Sequence, residues 1–292
     1  MKLSWKRALR PAAALAGVLA LVLLPATTAA AAEQSAPRSA AAASSGWNDF
    51  SCKPSAAHPR AVVLVHGTGG NSVDNWLGLA PYLVNRGYCV FSLDYGRLDG
   101  VPFFHGLGPI EDSAGELSAY VDRVLAATGT DEVDIVGHSQ GGMMPRYYLK
   151  FLGGADDVHT FVGIAPSNHG TTLLGLTKLL DLFPGLEDAI GGSAPALTQQ
   201  VAGSGFLQRL NDGGDTVPGV EYTVIATRYD QVVTPYRTQF LEGPNVRNIL
   251  VQDRCPVDIS EHLTVALVDR VTFHETVNAL DPAHATPANC FS

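Results

Sequence analysis

Charged residues are scarce in this chain of 292 residues, because Asp, Glu, Lys and Arg make up 16% of it and hydrophobic residues 46%. A composition with so little charge and so much apolar side chain excludes an intrinsically disordered protein. No segment repeats at a fixed period, which excludes solenoid and propeller architectures. The chain is therefore expected to build one large core in a single domain.

Acidic residues are absent from the start of the chain, where the first one is Glu33. Basic residues near the N-terminus precede an apolar stretch over residues 12–24, and small residues with Ala-x-Ala frames follow it. This stretch is shorter than the about 20 residues that a transmembrane helix needs, and the layout is typical of a secretory signal peptide. We predict a signal peptide over residues 1–32, cleaved near Ala30 or Ala32, and a secreted, extracellular protein without a transmembrane anchor.

Residues 33–45 are rich in Ala and Ser without apolar periodicity, which predicts a flexible linker before a folded domain over residues 46–292. Cleavage would remove four of the 19 basic residues and none of the 28 acidic ones, leaving 15 basic residues and a net charge of −13. A surface this acidic disfavours nucleic acid and anionic membranes as partners. A monomer is the expectation.

Short apolar runs recur from residue 61 onward, and stretches with helical periodicity separate them. Such runs are typical of strands that are buried on both faces of a parallel sheet. The runs that we assign to strands are residues 61–65, 89–93, 133–136, 161–164, 222–225 and 248–251. Their alternation with helices predicts an α/β fold, with a mostly parallel central sheet and helices on both faces.

A serine flanked by glycines follows the third predicted strand, in residues 137–142 (GHSQGG). The pattern G-x-S-x-G between a strand and a helix indicates a nucleophile elbow, a tight turn with glycines where side chains would clash. Ser139 is therefore the predicted nucleophile, exposed at the end of its strand above the N-terminus of the next helix. A chance turn rich in Gly and Ser is the alternative, and the strand and helix around it argue against that.

A serine hydroxyl is a weak nucleophile at neutral pH, so it needs a base, and the base needs an orienting acid. In this type of fold the acid and then the histidine follow the serine along the chain. Asp230, just after the fifth strand, fits the acid. Its competitors are Asp253 and Asp258, which follow the last strand.

His262 fits the base because it follows the last predicted strand after a short loop. The other histidines that we considered precede Asp230, belong to a helical stretch or lie near the C-terminus, and they are His169, His274 and His284. A single histidine is more often structural than catalytic, so the order along the chain decides this choice.

Glycines are also concentrated in residues 66–70 (HGTGG), after the first strand. Attack of a serine on a carbonyl group produces an oxyanion, which needs preorganised N–H donors. The backbone N–H of Gln140, next to the nucleophile, and that of Thr68 in this loop are the expected donors. A phosphate-binding loop is a poor match, since no Lys follows the glycines. This chemistry requires no cofactor, and no compact acidic cluster indicates a metal.

Cysteine is rare, and Cys52, Cys89, Cys255 and Cys290 contain no C-x-x-C spacing, which disfavours a zinc site. An even count in an oxidising compartment favours two disulfides, with three possible pairings. We favour Cys52 with Cys89, which would attach the N-terminal extension to the sheet. Cys255 with Cys290 would then hold the C-terminus near the candidate histidine.

The chain resembles the secreted bacterial triacylglycerol lipases, especially the actinobacterial branch of the lipase class 2 group. The likeness runs from about residue 61 to the C-terminus and includes both glycine motifs, Asp230 with Val232 and Val233, and His262. Many esterases share the serine motif, whereas the first glycine loop and residues 167–171 (SNHGT) narrow the resemblance toward lipases. The resemblance implies an α/β-hydrolase fold and the same triad and oxyanion donors as above.

Residues 171–186 contain eight Leu or Phe residues, and their only charged residues are Lys178 and Asp181. The pattern fits a mobile lid or an acyl-binding wall as well as a core helix, and the glycines at 185 and 191–192 fit hinges. We therefore expect a lipase that acts on ester or lipid substrates, with an oil–water interface as a possible site of action. A cutinase-like polyesterase, a short-chain carboxylesterase and a non-catalytic binding module are the alternatives.

Overall fold

The computed structural model describes residues 46–190 and 193–292, so the predicted signal peptide and linker, and the glycine pair at 191–192, lie outside the described residues. One sheet of parallel strands runs through the described part of the chain, in the spatial order β2-β1-β3-β4-β5-β6. The strands are β1 (Ala61–Val65), β2 (Val90–Leu93), β3 (Val133–His138), β4 (Val158–Ile164), β5 (Glu221–Ala226) and β6 (Val246–Leu250). The predicted α/β-hydrolase fold with a mostly parallel sheet is confirmed.

Two strands begin earlier than their apolar runs indicated. The first residues of β4 include His159 and Thr160, and β6 is an edge strand in which Arg247 and Asn248 are exposed. Polar residues at a strand end or on an edge interrupt the apolar pattern without interrupting the backbone pairing. The last predicted residue of β6, Val251, instead begins a helix.

Helices cover both faces of the sheet, as predicted. They are α1 (Leu79–Val84), α2 (Ile110–Thr128), α3 (Pro145–Phe151), α4 (Leu173–Asp181), α5 (Leu186–Ile190), α6 (Pro195–Gln199), α7 (Gly205–Asn211), α8 (Val251–Arg254), α9 (Thr264–Leu267) and α10 (Arg270–Leu280). Apolar residues of α2, α3 and α7 form one core with the sheet, and those of α1 and α10 form a second core on the other face. Alternate residues of β1 belong to the two cores, because successive side chains of a strand point to opposite faces.

The longest described helix, α2, shows how the local sequence decides its limits. Its buried positions include Ile110, Leu117 and Val124, which recur every seven residues and make one apolar face. The helix ends at Gly129, where φ is +77° and the backbone N–H donates to the carbonyl of Leu125. A left-handed residue at this position favours glycine, which explains why the helix stops there.

Two disulfides join distant parts of the described chain, Cys52 to Cys89 and Cys255 to Cys290. This is the pairing that the sequence analysis favoured. The first connects the N-terminal extension to the residue before β2, and the second connects the end of α8 to the C-terminus. Across residues 46–190 and 193–292, none of the helices combines the length and the apolar character that crossing a bilayer requires.

Candidate active site

Ser139 follows β3 in a strained turn, with φ of +54°, a value that non-glycine residues rarely adopt. The turn is possible because glycines flank the serine. A Cβ atom at Gly137 would overlap the carbonyl oxygen of Gly141, and one at Gly141 would overlap that of Val65. The glycines of the motif are therefore required by close backbone approach, and the turn has the geometry of a nucleophile elbow.

The surroundings of Ser139 differ from the expectation in two respects. A 3₁₀ turn over Ser139–Gly142 follows the strand, and the α-helix α3 begins only at Pro145. The serine is also buried, with 2% of its surface exposed, so the prediction that it stands exposed is wrong. Loops from other parts of the chain lie over the strand end, which a local motif does not indicate.

Ser139, His262 and Asp230 form a continuous hydrogen-bonded chain. The Ser139 Oγ lies 2.9 Å from His262 Nε2, and His262 Nδ1 lies 2.8 Å from Asp230 Oδ2. A carboxylate only accepts, so Nδ1 carries the proton and a neutral imidazole presents its Nε2 lone pair to the serine hydroxyl. This tautomer is the one in which a histidine can take the serine proton.

The Asp230 carboxylate is held from both sides. Its Oδ1 accepts the backbone N–H groups of Val232 and Val233 at 2.8 and 2.7 Å. Its Oδ2 accepts from His262 and from Gln239 Nε2, the latter at 2.9 Å. The valines that follow the aspartate thus fold the loop back onto it in an Asx-type turn, which is a local sequence effect.

The loop that carries His262 is fixed to the end of β5. Thr227 Oγ1 donates to the carbonyl of Ser260 at 2.6 Å, and Gln231 Nε2 donates to the Glu261 carboxylate at 2.7 Å. The ordinary polar side chains of these two loops therefore bring the acid and the base together, although 32 residues separate them.

The competing residues lie elsewhere and have other partners. Asp253 lies 3.9 Å from an Arg228 nitrogen, and Asp258 accepts from the backbone of Ser260. The three histidines that we ranked lower contact Asp215, Thr286 and Asp281, and they are His169, His274 and His284 respectively.

Two backbone N–H groups beside Ser139 are free. Those of Thr68 and Gln140 donate no hydrogen bond to any described residue. The loop that carries Thr68 is nevertheless well held, because Gly67 N–H donates to Asn75 Oδ1 at 3.0 Å and Gly69 N–H donates to the carbonyl of His105 at 2.8 Å. Free donors on a fixed backbone are what stabilisation of an oxyanion requires.

The Thr68 hydroxyl connects this loop to two glutamines, which the sequence analysis did not assign to it. Gln140 Nε2 and Gln200 Nε2 both donate to Thr68 Oγ1, at 3.1 and 2.9 Å. Gln200 lies at the end of α6, and its Oε1 accepts from Ser167 at 2.9 Å. No sequence signal marks Gln200, because its position depends on the packing of α6 against α2 and α7.

His138 also contacts the loop of His262, and no sequence pattern indicated this contact. Its Nε2 lies 2.9 Å from the carbonyl oxygen of His262, and its Nδ1 lies 3.1 Å from Asn75 Oδ1. Burial, and then the proximity of His262, lower the pKa of His138 to about 3. Burial likewise lowers the pKa of His66 to about 4. Both rings are therefore neutral at neutral pH, and His138 joins the nucleophile strand to the loop of the base.

Residues 171–186, which we call the covering segment, lie over residues 66–70, the loop that we call the oxyanion loop after its predicted role. The Phe183 ring is so near that a Cβ at Gly69 would lie 3.0 Å from it. At the other end, Thr171 Oγ1 donates to the carbonyl of Val232, and a Cβ at Gly175 would overlap that same oxygen. The segment is thus attached to the loop of Asp230 and covers the oxyanion loop with an aromatic side chain.

Within the part of the chain that the structure describes, no three His, Cys, Asp or Glu side chains are grouped so as to hold a metal ion.

An elbow serine after β3, an acid after β5 and a histidine after the last strand define the class of the α/β-hydrolases. Within that class, the chain belongs to the family described as Lipase (class 2), which matches residues 59–271. The actinobacterial branch stays a prediction.

Several known proteins are similar to the chain. A triacylglycerol lipase of Pseudarthrobacter phenanthrenivorans is 38% identical over 97 residues, which are 32% of this chain and 28% of that protein. Lipase B of Pseudozyma antarctica is 26% identical over 218 residues, which are 70% of this chain and 56% of that protein. The chain therefore spans little more than a quarter of the first curated relative's length.

A solved structure, that of Aspergillus fumigatus lipase B, superimposes with a TM-score of 0.63 at 20% identity. The match covers 83% of this chain and 56% of that one. At this identity the likeness shows the fold.

Proposed function

We propose that the chain is a secreted serine ester hydrolase that cleaves triacylglycerols through an acyl-enzyme on Ser139. The observation that carries the proposal is the hydrogen-bonded chain from Ser139 through His262 to Asp230, beside two free N–H groups. Membership of the lipase (class 2) family supports the same reaction. The roles of the individual residues are part of the proposal.

In the first half of the reaction, His262 Nε2 takes the proton of Ser139 while Oγ attacks the ester carbonyl carbon. The negative charge that develops on the carbonyl oxygen is accepted by the N–H groups of Thr68 and Gln140, each worth roughly 3–4 kcal/mol in comparable sites. Asp230 stabilises the imidazolium. The proton then passes from His262 to the alcohol oxygen, the C–O bond breaks, and the alcohol leaves an ester on Ser139.

In the second half, water takes the place of the alcohol. His262 removes a proton from the water, the hydroxide attacks the acyl carbon, and the same N–H groups hold the oxyanion. When the intermediate collapses, the bond to Ser139 Oγ breaks, the serine recovers its proton from His262, and the fatty acid is released. No cofactor enters the scheme.

A lipid substrate is supported by exposed apolar side chains in segments that follow the carboxyl ends of the strands. Nine large hydrophobic side chains of this kind are exposed, we call them the apolar rim, and they are Val73, Leu77, Phe103, Leu173, Leu174, Tyr229, Val257, Ile259 and Val268. Exposed apolar side chains in the segments that follow the strands, where Ser139 also lies, fit an oil–water interface. The predicted charge of −13 favours an uncharged lipid surface over an anionic one.

Secretion is supported by the layout of the first 32 residues and by the two disulfides, since disulfides persist in oxidising compartments. We propose that the released enzyme acts outside the cell as a monomer.

A cutinase-like polyesterase or a short-chain carboxylesterase would use the same triad on another substrate. Initial rates on short-chain and long-chain esters, with and without an oil–water interface, separate these readings. The covering segment and the apolar rim favour the lipase, so we expect long-chain esters at an interface to be cleaved fastest.

A non-catalytic binding module is the alternative from another class. A fluorophosphonate probe should label Ser139 in the wild-type protein, whereas Ser139→Ala should fold normally, take no label and hydrolyse no ester. Ser204→Ala is a matched control, because that serine caps α7 and has no contact with the site. Normal turnover by Ser139→Ala would refute the proposal.

A further inference from the structure

We propose that Gln239 is a positioning residue, which fixes the Asp230 carboxylate in the orientation that His262 requires. The contact is made to the carboxylate oxygen of Asp230 that also binds His262. Gln239 Nε2 donates to Asp230 Oδ2 at 2.9 Å, and the same oxygen accepts from His262 Nδ1 at 2.8 Å. The kinetic consequences rest on the proposed ester hydrolysis, whereas the hydrogen bond itself does not.

Gln239 completes the set of donors around the carboxylate. The Oδ1 atom of Asp230 already has the backbone N–H groups of Val232 and Val233. A carboxylate offers about four lone-pair sites, so the amide of Gln239 fills the last one. With that donor removed, the carboxylate loses its only side-chain partner besides His262 among the described residues, and Oδ2 is then held by His262 alone.

Core packing does not explain a glutamine at this position. The residue is fully buried, and its Oε1 has no hydrogen-bond partner among the described residues. An unpaired buried acceptor is destabilising, and an aliphatic side chain of similar size would avoid it. The amide is explained instead by its N–H side, because the reversed amide would turn Oε1 toward the negative oxygen of Asp230.

The backbone of Gln239 is held independently of the covering segment. Its carbonyl oxygen accepts from Asn168 Nδ2 at 2.6 Å, and the carbonyl of Asn168 accepts from Arg146 at 3.3 Å. Arg146 is buried and also donates to Asn211 Oδ1 at 2.7 Å. The backbone of Gln239 is therefore fixed to the loop after β4 and, through Arg146, to α3.

Loss of the Gln239 donor changes the proton affinity of the acid–base pair in a predictable direction. A hydrogen bond to a charged carboxylate stabilises the charged form, so without the Gln239 donor the Asp230 oxygens accept more strongly from His262 Nδ1. Two other titratable groups face the pair. Burial keeps His138 neutral with a pKa of about 3, and hydrogen bonds from Gln231 and the backbone lower the pKa of Glu261 and keep it ionised. Neither changes with the substitution.

The test compares Gln239→Leu, Gln239→Glu and the wild type as full, purified chains, on a soluble p-nitrophenyl ester over a range of pH. For Gln239→Leu we expect about a ten-fold loss in kcat with little change in KM, because the stabilised imidazolium exists only during reaction. Activity that depends on neutral His262 rises with pH, so the acid limb of kcat/KM should move to higher pH.

Gln239→Glu tests whether residue 239 acts through its hydrogen-bond donor, because a role in packing alone would not make activity depend on the proton of the new carboxyl group. A carboxyl group beside Asp230 is kept protonated by its charged neighbour, and its O–H donates to Oδ2 in place of the amide. We expect activity near the wild-type level while this proton is present and a loss of activity as rising pH removes it. Gln199→Leu is the matched control, since that glutamine binds Ile110 and Glu111 at the start of α2 and not the triad. It should lower stability and leave the pH profile unchanged.

NMR titration of His262, and the downfield resonance of its Nδ1 proton, provide a readout without substrate. An unchanged titration of His262 in Gln239→Leu would overturn the inference, even if the wild type is an active esterase. Failure of the wild type to hydrolyse esters would refute the proposed function, and the titration would still decide the role of Gln239.

Discussion

The catalytic layer and the covering segment are built from different interactions. What we call the catalytic layer consists of the residues to which we assign catalysis, Ser139, His262 and Asp230, with the loops that hold them, and it is fixed by backbone contacts and buried hydrogen bonds. The covering segment, residues 171–186, is mostly apolar, and it leaves Leu173 and Leu174 exposed while Phe183 lies over the oxyanion loop. One region is specified by directional contacts and the other by apolar contacts, which are non-directional.

This difference predicts separate roles, in which the catalytic layer carries out the reaction and the covering segment influences how substrate reaches it. The elbow lies so close to neighbouring backbone that a Cβ at Gly137 or Gly141 would overlap a carbonyl oxygen, so this turn is closely packed. Phe183 is half-buried and packs against two apolar clusters through its ring, and apolar contacts are non-directional. Changes in the catalytic layer should therefore affect turnover strongly, and changes in the cover should affect substrate preference.

The largest effect is expected for Asp230→Asn, which keeps the shape of the catalytic layer and removes its charge. An amide at this position no longer requires a proton on His262 Nδ1, so the histidine loses the correct tautomer. By analogy with serine proteases, kcat should fall about 10⁴-fold. Steady-state kinetics on a soluble ester measure the loss, and circular dichroism verifies the fold. A decrease in kcat of less than ten-fold would mean that turnover does not depend on the charge of Asp230.

Acid pH should destabilise the folded protein through two buried histidines near the site. The folded-state pKa values of His66 and His138 are about 4 and 3, below the usual 6.5, because both rings are buried. The unfolded chain therefore binds more protons as pH falls below 6.5, and stability is lost down to the folded pKa values. At pH 5 we expect a loss of about 2 kcal/mol per histidine.

Urea denaturation of the wild type and of His66→Gln, at neutral and at acid pH, measures this effect. The variant should show a smaller drop between the two conditions, because one of the two buried histidines no longer titrates. An equal drop in both proteins would show that the acid sensitivity arises elsewhere in the fold.

The smallest effect is expected for Phe183→Ala, which removes the ring of the covering segment that lies over the oxyanion loop and leaves the triad intact. We expect a KM for a soluble short-chain ester that is lower by about three-fold, with kcat within about two-fold of the wild type, since only uniform binding changes. Phe151→Ala is the matched control, because that ring packs on Tyr147 at the end of α3. A large change in kcat would mean that the cover also contributes to the chemistry.

Much of the fold could be predicted from local sequence patterns. The apolar runs predicted the six strands within a few residues, because strands buried on both faces must be apolar along their length. The patterns were weakest for β4 and β6, whose first residues include polar side chains at a strand end or an exposed edge. The cysteine pairing agrees with the structure, although the count of cysteines alone allowed three pairings.

The residues that support the site could not be predicted from local sequence patterns. Gln239, Gln200 and His138 reach the triad or the oxyanion loop through side chains that approach from separate loops and elements. A glutamine in a loop has no periodicity and no motif, so nothing in its immediate sequence distinguishes it from a solvated residue.

The sequence by itself determined the order of strands and helices, the glycines of the elbow and the choice of Ser139, Asp230 and His262 as candidates, because each depends on neighbours along the chain. Only the tertiary structure decided that Ser139 is buried, which glutamines support the site and where Phe183 lies. These features arise between residues that are distant in the chain, and their geometry depends on how loops pack over the carboxyl edge of the sheet.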